Sequence, residues 1–377
     1  MDILIVGAGV GGLALANGLV TDGHQVRVFE RADAPRTDGA AVTIFSNGAA
    51  AAAGLGVSLD DLGAAIDTLG FFDADGRAFA HADMTLLRRW TGYRVATIPR
   101  ASLLRRLAAG LPAETINYGR QVHTVETAGS GAAVVTADGV REEAALVVGA
   151  DGVRSAVRRA LLGSAEPTFN GWVSWQGLTV AMPELAAGAY ARCVVGEAGL
   201  CGLMPAGGGL VQWWFDVDGP VPAGRPVIGW LRERFASYAD PVRKLLDVLT
   251  EADVHAFRHA VHQIPSAWGA GCATLLGDAA HAFPPSQAQG ANQALEDAWT
   301  LRRALSAFPV PDALRRYERV RARRVRRISS LAASEVTNKP PTSAGRLAAH
   351  LISPAMFTRL QLITIKRCSS VLNHDRL

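Results

Sequence analysis

The sequence predicts an α/β protein in which a buried parallel sheet, assembled from segments far apart in the chain, carries an inserted antiparallel sheet and ends in C-terminal helices. Three observations carry this. The apolar run DILIV (residues 2–6) enters a glycine-rich turn, GAGVGG, followed by an apolar helical stretch. Two later apolar runs, in ALVVGADG (145–152) and ATLLGDAAH (273–281), likewise end in a Gly-Asp loop. Residues 171–232, by contrast, are rich in tryptophan and glycine and poor in helical periodicity. Strands that are apolar throughout belong to parallel sheets covered on both faces.

The chain has 377 residues, 49% hydrophobic and 19% charged, which excludes global disorder and exceeds what one simple core accommodates. Its four cysteines, Cys193, Cys201, Cys272 and Cys368, contain no CxxC pair, which argues against a disulfide scaffold and against structural zinc. Asp2 and the early glycines break the first apolar run, the wrong build for a secretory signal, and no run is long enough to span a bilayer. A soluble, cytoplasmic protein without stable membrane insertion is the expectation. The net charge is +4, and the basic residues are almost all arginine, with lysine only at Lys244, Lys339 and Lys366. The densest run, Arg315 to Arg327, reads as an exposed helix with some buried stems rather than a nucleic-acid-binding arm.

Taken in order, the first strand and its turn lead into a helix from about Val10 to Asp22, ended by Gly23, and then a second strand, Gln25 to Glu30. Gly7, Gly9 and Gly12 form GxGxxG at this strand-to-helix turn, with Val10 and Gly11 between them. The first glycine permits the tight turn, the second lets a pyrophosphate approach the backbone, and the third lets helix pack on strand. The helix N-terminus favours the phosphate charge. Glu30 ends the second strand, where a carboxylate accepts both ribose hydroxyls and repels a 2′-phosphate. This pattern points to FAD or NAD. The third motif favours FAD: Asp278 leaves an apolar strand where it can meet a hydroxylated chain, and Gly290, Ala291 and Asn292 open a helix whose positive end suits the negative charge a flavin gains on reduction.

The expected organisation is a discontinuous cofactor domain (1–69, 96–170 and 269–330), a substrate domain (70–95 and 171–268) and C-terminal helices (331–377). Within the second, GLCGLMPAGGGLVQWWFDV reads as two strands joined at Gly207 to Gly209, and the helical C-terminus is interrupted by the loop NKPPTSAG, Asn338 to Gly345.

Three ordered elements together, GAGVGG with Glu30 and Arg31, GADGVRS (149–155) and GDAAHAFPPSQAQGANQALEDA (277–298), resemble the class A flavoprotein monooxygenases, the para-hydroxybenzoate hydroxylase family. The resemblance implies a Rossmann-like FAD domain of that type. It implies FAD contacts at Gly7, Gly9, Val10, Gly11, Gly12, Glu30, Arg31, Asp278 and Gly290 to Asn292, with Arg100 over the cofactor and Val122 at the adenine. Asp151, Gly152 and Arg154 match a family motif associated with FAD and the reduced pyridine nucleotide. The implied reaction has NAD(P)H reduce FAD, O2 add to give a C4a-hydroperoxide, and its terminal oxygen pass to the substrate. Epoxidation, oxidative rearrangement or reduction are alternatives on the same scaffold. There are departures: Ala41 replaces a glycine in DGAAVTIFSNGA (38–49), Ala288 stands where many relatives carry glycine, and Gln176 where many have arginine.

No Ser/His/Asp or Cys/His set accompanies these motifs, so the chemistry is assigned to the flavin. A halogenase is disfavoured because the first lysine is Lys244. The substrate is expected against the antiparallel sheet and Phe283, Pro284 and Pro285. Of the adjacent Trp213 and Trp214 only one can face the cavity; the resemblance implies Trp214, which lies beside the family's substrate strand, with Met204 on the partnering strand. An aromatic, apolar pocket with few charges points to a bulky aromatic or polycyclic compound. His281 is expected to pack within its turn, and His255, His259 and His262, without a nearby acid, do not suggest a metal site.

Overall fold

The structure, a computed structural model, describes residues 1–35, 40–128, 131–163, 166–182, 185, 188–219 and 224–375. Asp38 and Gly39, at the start of the DGAAVTIFSNGA segment, lie outside the described residues.

The three apolar runs meet in one five-stranded parallel sheet. Its order is Ala273–Leu275, Leu146–Gly149, Asp2–Val6, Gln25–Phe29 and Ile116–Asn117. Ile3, Leu4, Ile5, Leu146, Val147 and Val148 are fully buried, as a sheet covered on both faces requires. One cover is the pair of helices Val10–Thr21 and Gly290–Ala307, which approach through Gly11: a Cβ there would stand 2.4 Å from Leu276 and 3.2 Å from the Cβ of Ala294. Three antiparallel strands, Val122–Ala128, Gly131–Thr136 and Arg141–Ala144, lie beyond.

A separate seven-stranded sheet runs His255–Val261, Thr168–Val180, Leu210–Asp218, Gly199–Gly207, Tyr190–Gly196, Thr68–Asp73 and Ala78–Asp83. The strands on either side of Gly207 to Gly209 pair antiparallel, and all three glycines have positive φ. The sheet is not purely antiparallel. Tyr190–Gly196 pairs parallel with Thr68–Asp73, because the latter arrives from an early segment of the chain and not through a hairpin. Along Leu210–Asp218 the period-two alternation is complete: Val211, Trp213, Phe215 and Val217 face a core shared with Trp230, Leu231 and Phe235, while Gln212, Trp214 and Asp216 face the opposite way.

The arginine-rich helix, Val310–Ala333, departs from the expectation of an exposed helix with buried stems. Arg321 is buried to its guanidinium, which donates to Asp297 (2.6 Å), Glu296 (3.4 Å) and Gln293 Oε1 (2.6 Å). Helical structure also resumes within the expected NKPPTSAG loop, at Ser343, because the Thr342 hydroxyl accepts from Gly345 N (3.1 Å) and caps the helix. Among the described residues, no helix is long and apolar enough to cross a membrane.

Candidate active site

The parallel sheet, the seven-stranded sheet and the start of the Gly290 helix enclose a cavity of about 1450 Å³. At one end the GxGxxG turn is built by necessity from glycine. Gly7 has φ +106° and would place a Cβ 2.4 Å from Ala150 O; its N–H donates to Phe29 O at 2.7 Å. Gly12 would place a Cβ 2.1 Å from Gly7 O, so it does not line the cavity but lets the helix seat on the strand. Gly9, in contrast, has open space where its Cβ would stand, and no side chain caps the helix that follows. Gly7, Gly9, Val10 and Gly11 line the cavity there. Glu30 closes this end: its carboxylate accepts from Ala8 N (2.8 Å) and Ala32 N (3.0 Å), which holds it beside the turn. Arg31, Arg100 and Val122 share this cavity, as does Tyr118, whose pKa is raised by burial and by the Glu30 charge.

The middle motif lines the same cavity through Asp151, Gly152 and Arg154. The Asp151 carboxylate accepts from Ser155 Oγ, Ala156 N (2.7 Å) and Val157 N (3.3 Å), so it fixes the start of the helix Ala156–Leu162; burial pushes its pKa up despite these bonds.

The third motif is held by charges the sequence reading did not pick out. Asp297 Oδ2 accepts from Gly277 N (2.9 Å) and bonds His281 Nε2 (2.6 Å), while its Oδ1 takes Arg321. Burial would raise the Asp297 pKa, but His281 and Arg321 outweigh it and hold the carboxyl below its usual range. Buried Arg158 donates to Ala279 O (3.0 Å), Ala280 O (2.8 Å) and Gln263 O (2.9 Å), pinning the turn after Asp278. Asp278 itself lines the cavity, as do Gly290 and Ala291. The Gly290 helix starts without a side-chain cap, and a Cβ on Gly290 would meet open space. Asn292 is placed otherwise. Its side chain does not line the cavity; it accepts from Phe45 N (2.9 Å) and donates to Thr43 O (2.9 Å) and Ala288 O (2.8 Å), bracing the helix against strand Ala41–Ile44. Ala288 sits at φ +48°, the left-handed region where glycine is least strained.

At the far end Met204, Trp214, Phe283 and Pro285 line the cavity and Pro284 does not, while Trp213 is fully buried on the other face of its strand. The expectation of few charges needs correction, because Asp216 and Arg258 line the cavity. Ser174, Gln176, Gln212 and Asp216 project from the same face as Trp214. Ser174 Oγ donates to Asp216 Oδ1 and meets His259 Nε2 at 2.8 Å, and His259 Nδ1 meets Glu335 Oε1 at 2.7 Å. His259 therefore has acids after all, supplied from distant segments, and His262 turns instead to Val153 O at 2.8 Å. Burial lowers the His259 pKa, but its bonds to Asp216 and Glu335 win and raise it to about 9. Among the described residues no cluster of three potential ligands could hold a metal.

FAD fits these residues. Two uncapped helix ends, open space beside Gly9 and Gly290, and the fixed Glu30 carboxylate all face one cavity. Fold and site together define an adenine-dinucleotide flavoprotein whose cofactor cradle runs on into the space beside Met204 and Trp214. The chain belongs to the FAD binding domain family, whose pattern matches residues 1–332. It is 32% identical over 338 residues to an FAD-dependent urate hydroxylase of Klebsiella pneumoniae, covering 86% of this chain and 87% of that one. It is 34% identical over 332 residues to a 3-amino-4-hydroxybenzoate 2-monooxygenase of Streptomyces cremeus, covering 85% and 82%. The structure of Klebsiella pneumoniae HpxO complexed with FAD and uric acid superposes with a TM-score of 0.90 at 28% identity, over 99% of this chain and 97% of that chain. A salicylate hydroxylase substrate complex, with a TM-score of 0.78 at 21% identity over 100% of this chain and 99% of that chain, shares the fold. The protein is thus a class A flavoprotein, an FAD-dependent monooxygenase.

Proposed function

We propose that this enzyme consumes NAD(P)H and O2 to hydroxylate an aromatic or polycyclic substrate of natural-product-like size. The single observation that carries this reading is that the dinucleotide cradle and the Trp214–Met204 wall open into one continuous cavity. When bound, FAD supplies the redox chemistry, taking reducing equivalents from the nicotinamide and activating O2. The chain's own residues do the rest. Glu30 would accept from the ribose hydroxyls, the N–H groups after Gly9 would hold the pyrophosphate, and Asp278 would meet the ribityl hydroxyls. The N–H groups of Gly290 and Ala291, at an uncapped helix start, would favour negative charge on a bound flavin. Trp214, Met204 and Phe283 supply apolar surface that orients the substrate and keeps water from the reacting oxygen.

The test is turnover of purified yellow protein with candidate aromatics, following NAD(P)H oxidation, O2 uptake and product mass under 18O2. Substrate-stimulated oxidation with one 18O atom in the product supports the reading. NAD(P)H oxidation that no aromatic stimulates, or a product without 18O, overturns it.

A further inference from the structure

The substrate compartment contains two acceptors that the apolar reading of the pocket leaves unused. Gln212 is 7% exposed and lines the cavity. Its Nε2 donates to Ala41 O at 2.9 Å, and because a carbonyl can only accept, the amide orientation is determined. Its Oε1 is then a buried acceptor without a partner among the described residues, an arrangement that is costly unless a ligand donates to it. Two residues along, Trp214 lies over Gly202, where a Cβ would come within 2.1 Å of the indole. Two residues further stands Asp216, 2% exposed, whose Oδ1 takes the Ser174 hydroxyl while no described residue donates to its other oxygen.

Within the buried group behind this wall the carboxylates outnumber the cation, while Arg258 lines the cavity from the strand His255–Val261. His259 lies between Asp216 and Glu335, one imidazolium for two carboxylates. Glu335 also accepts from Asn170 Nδ2 (2.7 Å) and Asn338 Nδ2 (2.8 Å). Asp216 is the carboxylate of the pair that lines the cavity.

We propose that Gln212 and Asp216 form an acceptor pair, set on either side of the Trp214 ring, that selects substrates whose aromatic ring carries an acidic O–H or N–H directed at Asp216. The inference deepens the hydroxylase reading and rests on it. Cα atoms four residues apart on a strand are about 13 Å apart, which suits a bicyclic or larger ring over Trp214. A donor held by Asp216 enriches the ring in electrons, as transfer of an electrophilic oxygen to carbon requires. Where the proton crosses fully, its bonding pair stays on the substrate heteroatom and the Asp216 carboxylate becomes neutral. Asp216 would touch the substrate; Ser174, His259 and Glu335 act through it as positioning residues.

The experiment titrates flavin-loaded enzyme with matched probes and reads perturbation of the flavin absorption: 2-naphthol against 2-methoxynaphthalene, and benzimidazole against 1-methylbenzimidazole. The donor-bearing member of each pair should bind roughly ten- to a hundredfold more tightly. In Asp216→Asn, which keeps the shape and the bond from Ser174, the ratio should fall to within about threefold with flavin content unchanged. Equal binding within the pairs, a ratio unaltered in Asp216→Asn, or no perturbation by any probe would overturn the inference. Should Asp216→Asn fail to fold, Gln212→Met tests the other acceptor with a probe that has two donors: 2,6-dihydroxynaphthalene should bind more tightly than 6-methoxy-2-naphthol to wild type and lose that advantage in Gln212→Met, and an unchanged advantage overturns the acceptor pair. Wild-type enzyme that holds no flavin would instead defeat the underlying hydroxylase reading, and this inference with it.

Discussion

Replacing His259 with glutamine removes a buried cation held by two carboxylates, and the pH at which stability is read decides how much is lost. Burial works against the imidazolium, but hydrogen bonds and charges from Asp216 and Glu335 raise its pKa from 6.5 to about 9. A group whose proton affinity rises on folding contributes stability that is fully present below its unfolded pKa and lost as pH climbs through its folded one. The relevant window therefore runs from 6.5 to about 9. At about 1.4 kcal/mol for each tenfold change in proton affinity, the contribution is roughly 3 kcal/mol. Urea unfolding of wild type and His259→Gln, followed by tryptophan fluorescence at about pH 6 and about pH 10, measures it. The wild-type advantage should shrink by roughly 3 kcal/mol across that interval. An advantage of the same size at both pH values would refute the charged-histidine reasoning.

Arg321→Met leaves Asp297 and Glu296 buried with one counter-ion fewer, and equilibrium unfolding should show a loss of about 3–5 kcal/mol; a loss under about 1 kcal/mol would contradict the arrangement. Because the Asp297 pKa is lowered on folding, its contribution is present above about pH 4 and lost as pH falls below that, so the acid limb of the wild-type stability curve should flatten in Asp297→Asn. Asp278→Ala should lower flavin retention on gel filtration without altering the apoprotein unfolding midpoint, and unchanged retention would show the ribityl end to be misplaced. Gly12→Ala sets a methyl 2.1 Å from Gly7 O, so helix and strand must part, with an expected loss of about 1–3 kcal/mol and weakened flavin binding, both read in thermal melts with and without added FAD.

What could be read from the sequence was local. The glycine turn, Glu30 and the Gly-Asp loops each announce themselves within a few residues, because a strand-to-helix turn needs glycine and a strand end aims its next side chain at the ligand. Alternation along a strand showed that only one of Trp213 and Trp214 could face the cavity, and the resemblance to the family's substrate strand pointed to Trp214. That alternation also marks Gln212 and Asp216 as companions of Trp214, although neither residue type stands out beside two adjacent tryptophans. The rest depends on contacts between distant segments. His259 meets Ser174, Asp216 and Glu335, separated from it by 85, 43 and 76 positions, so its spacing from other histidines says nothing about its partners. Arg321 sits in a run of arginines indistinguishable by composition, and only the packing of its helix on Gly290–Ala307 selects it for burial. Asn292 stands in the first turn of the Gly290 helix, but its side chain braces that helix against the strand Ala41–Ile44 and does not line the cavity.

Crystals grown from yellow, flavin-loaded protein would locate each part of the cofactor against named residues. One FAD per chain is expected, with its ribose at Glu30, its pyrophosphate on the Gly9–Gly11 backbone, and its ring between the N-terminus of the Gly290 helix and the Trp214 face of the sheet. Density for a different group, or a flavin whose ring lies away from Gly290 and Trp214, would contradict this placement.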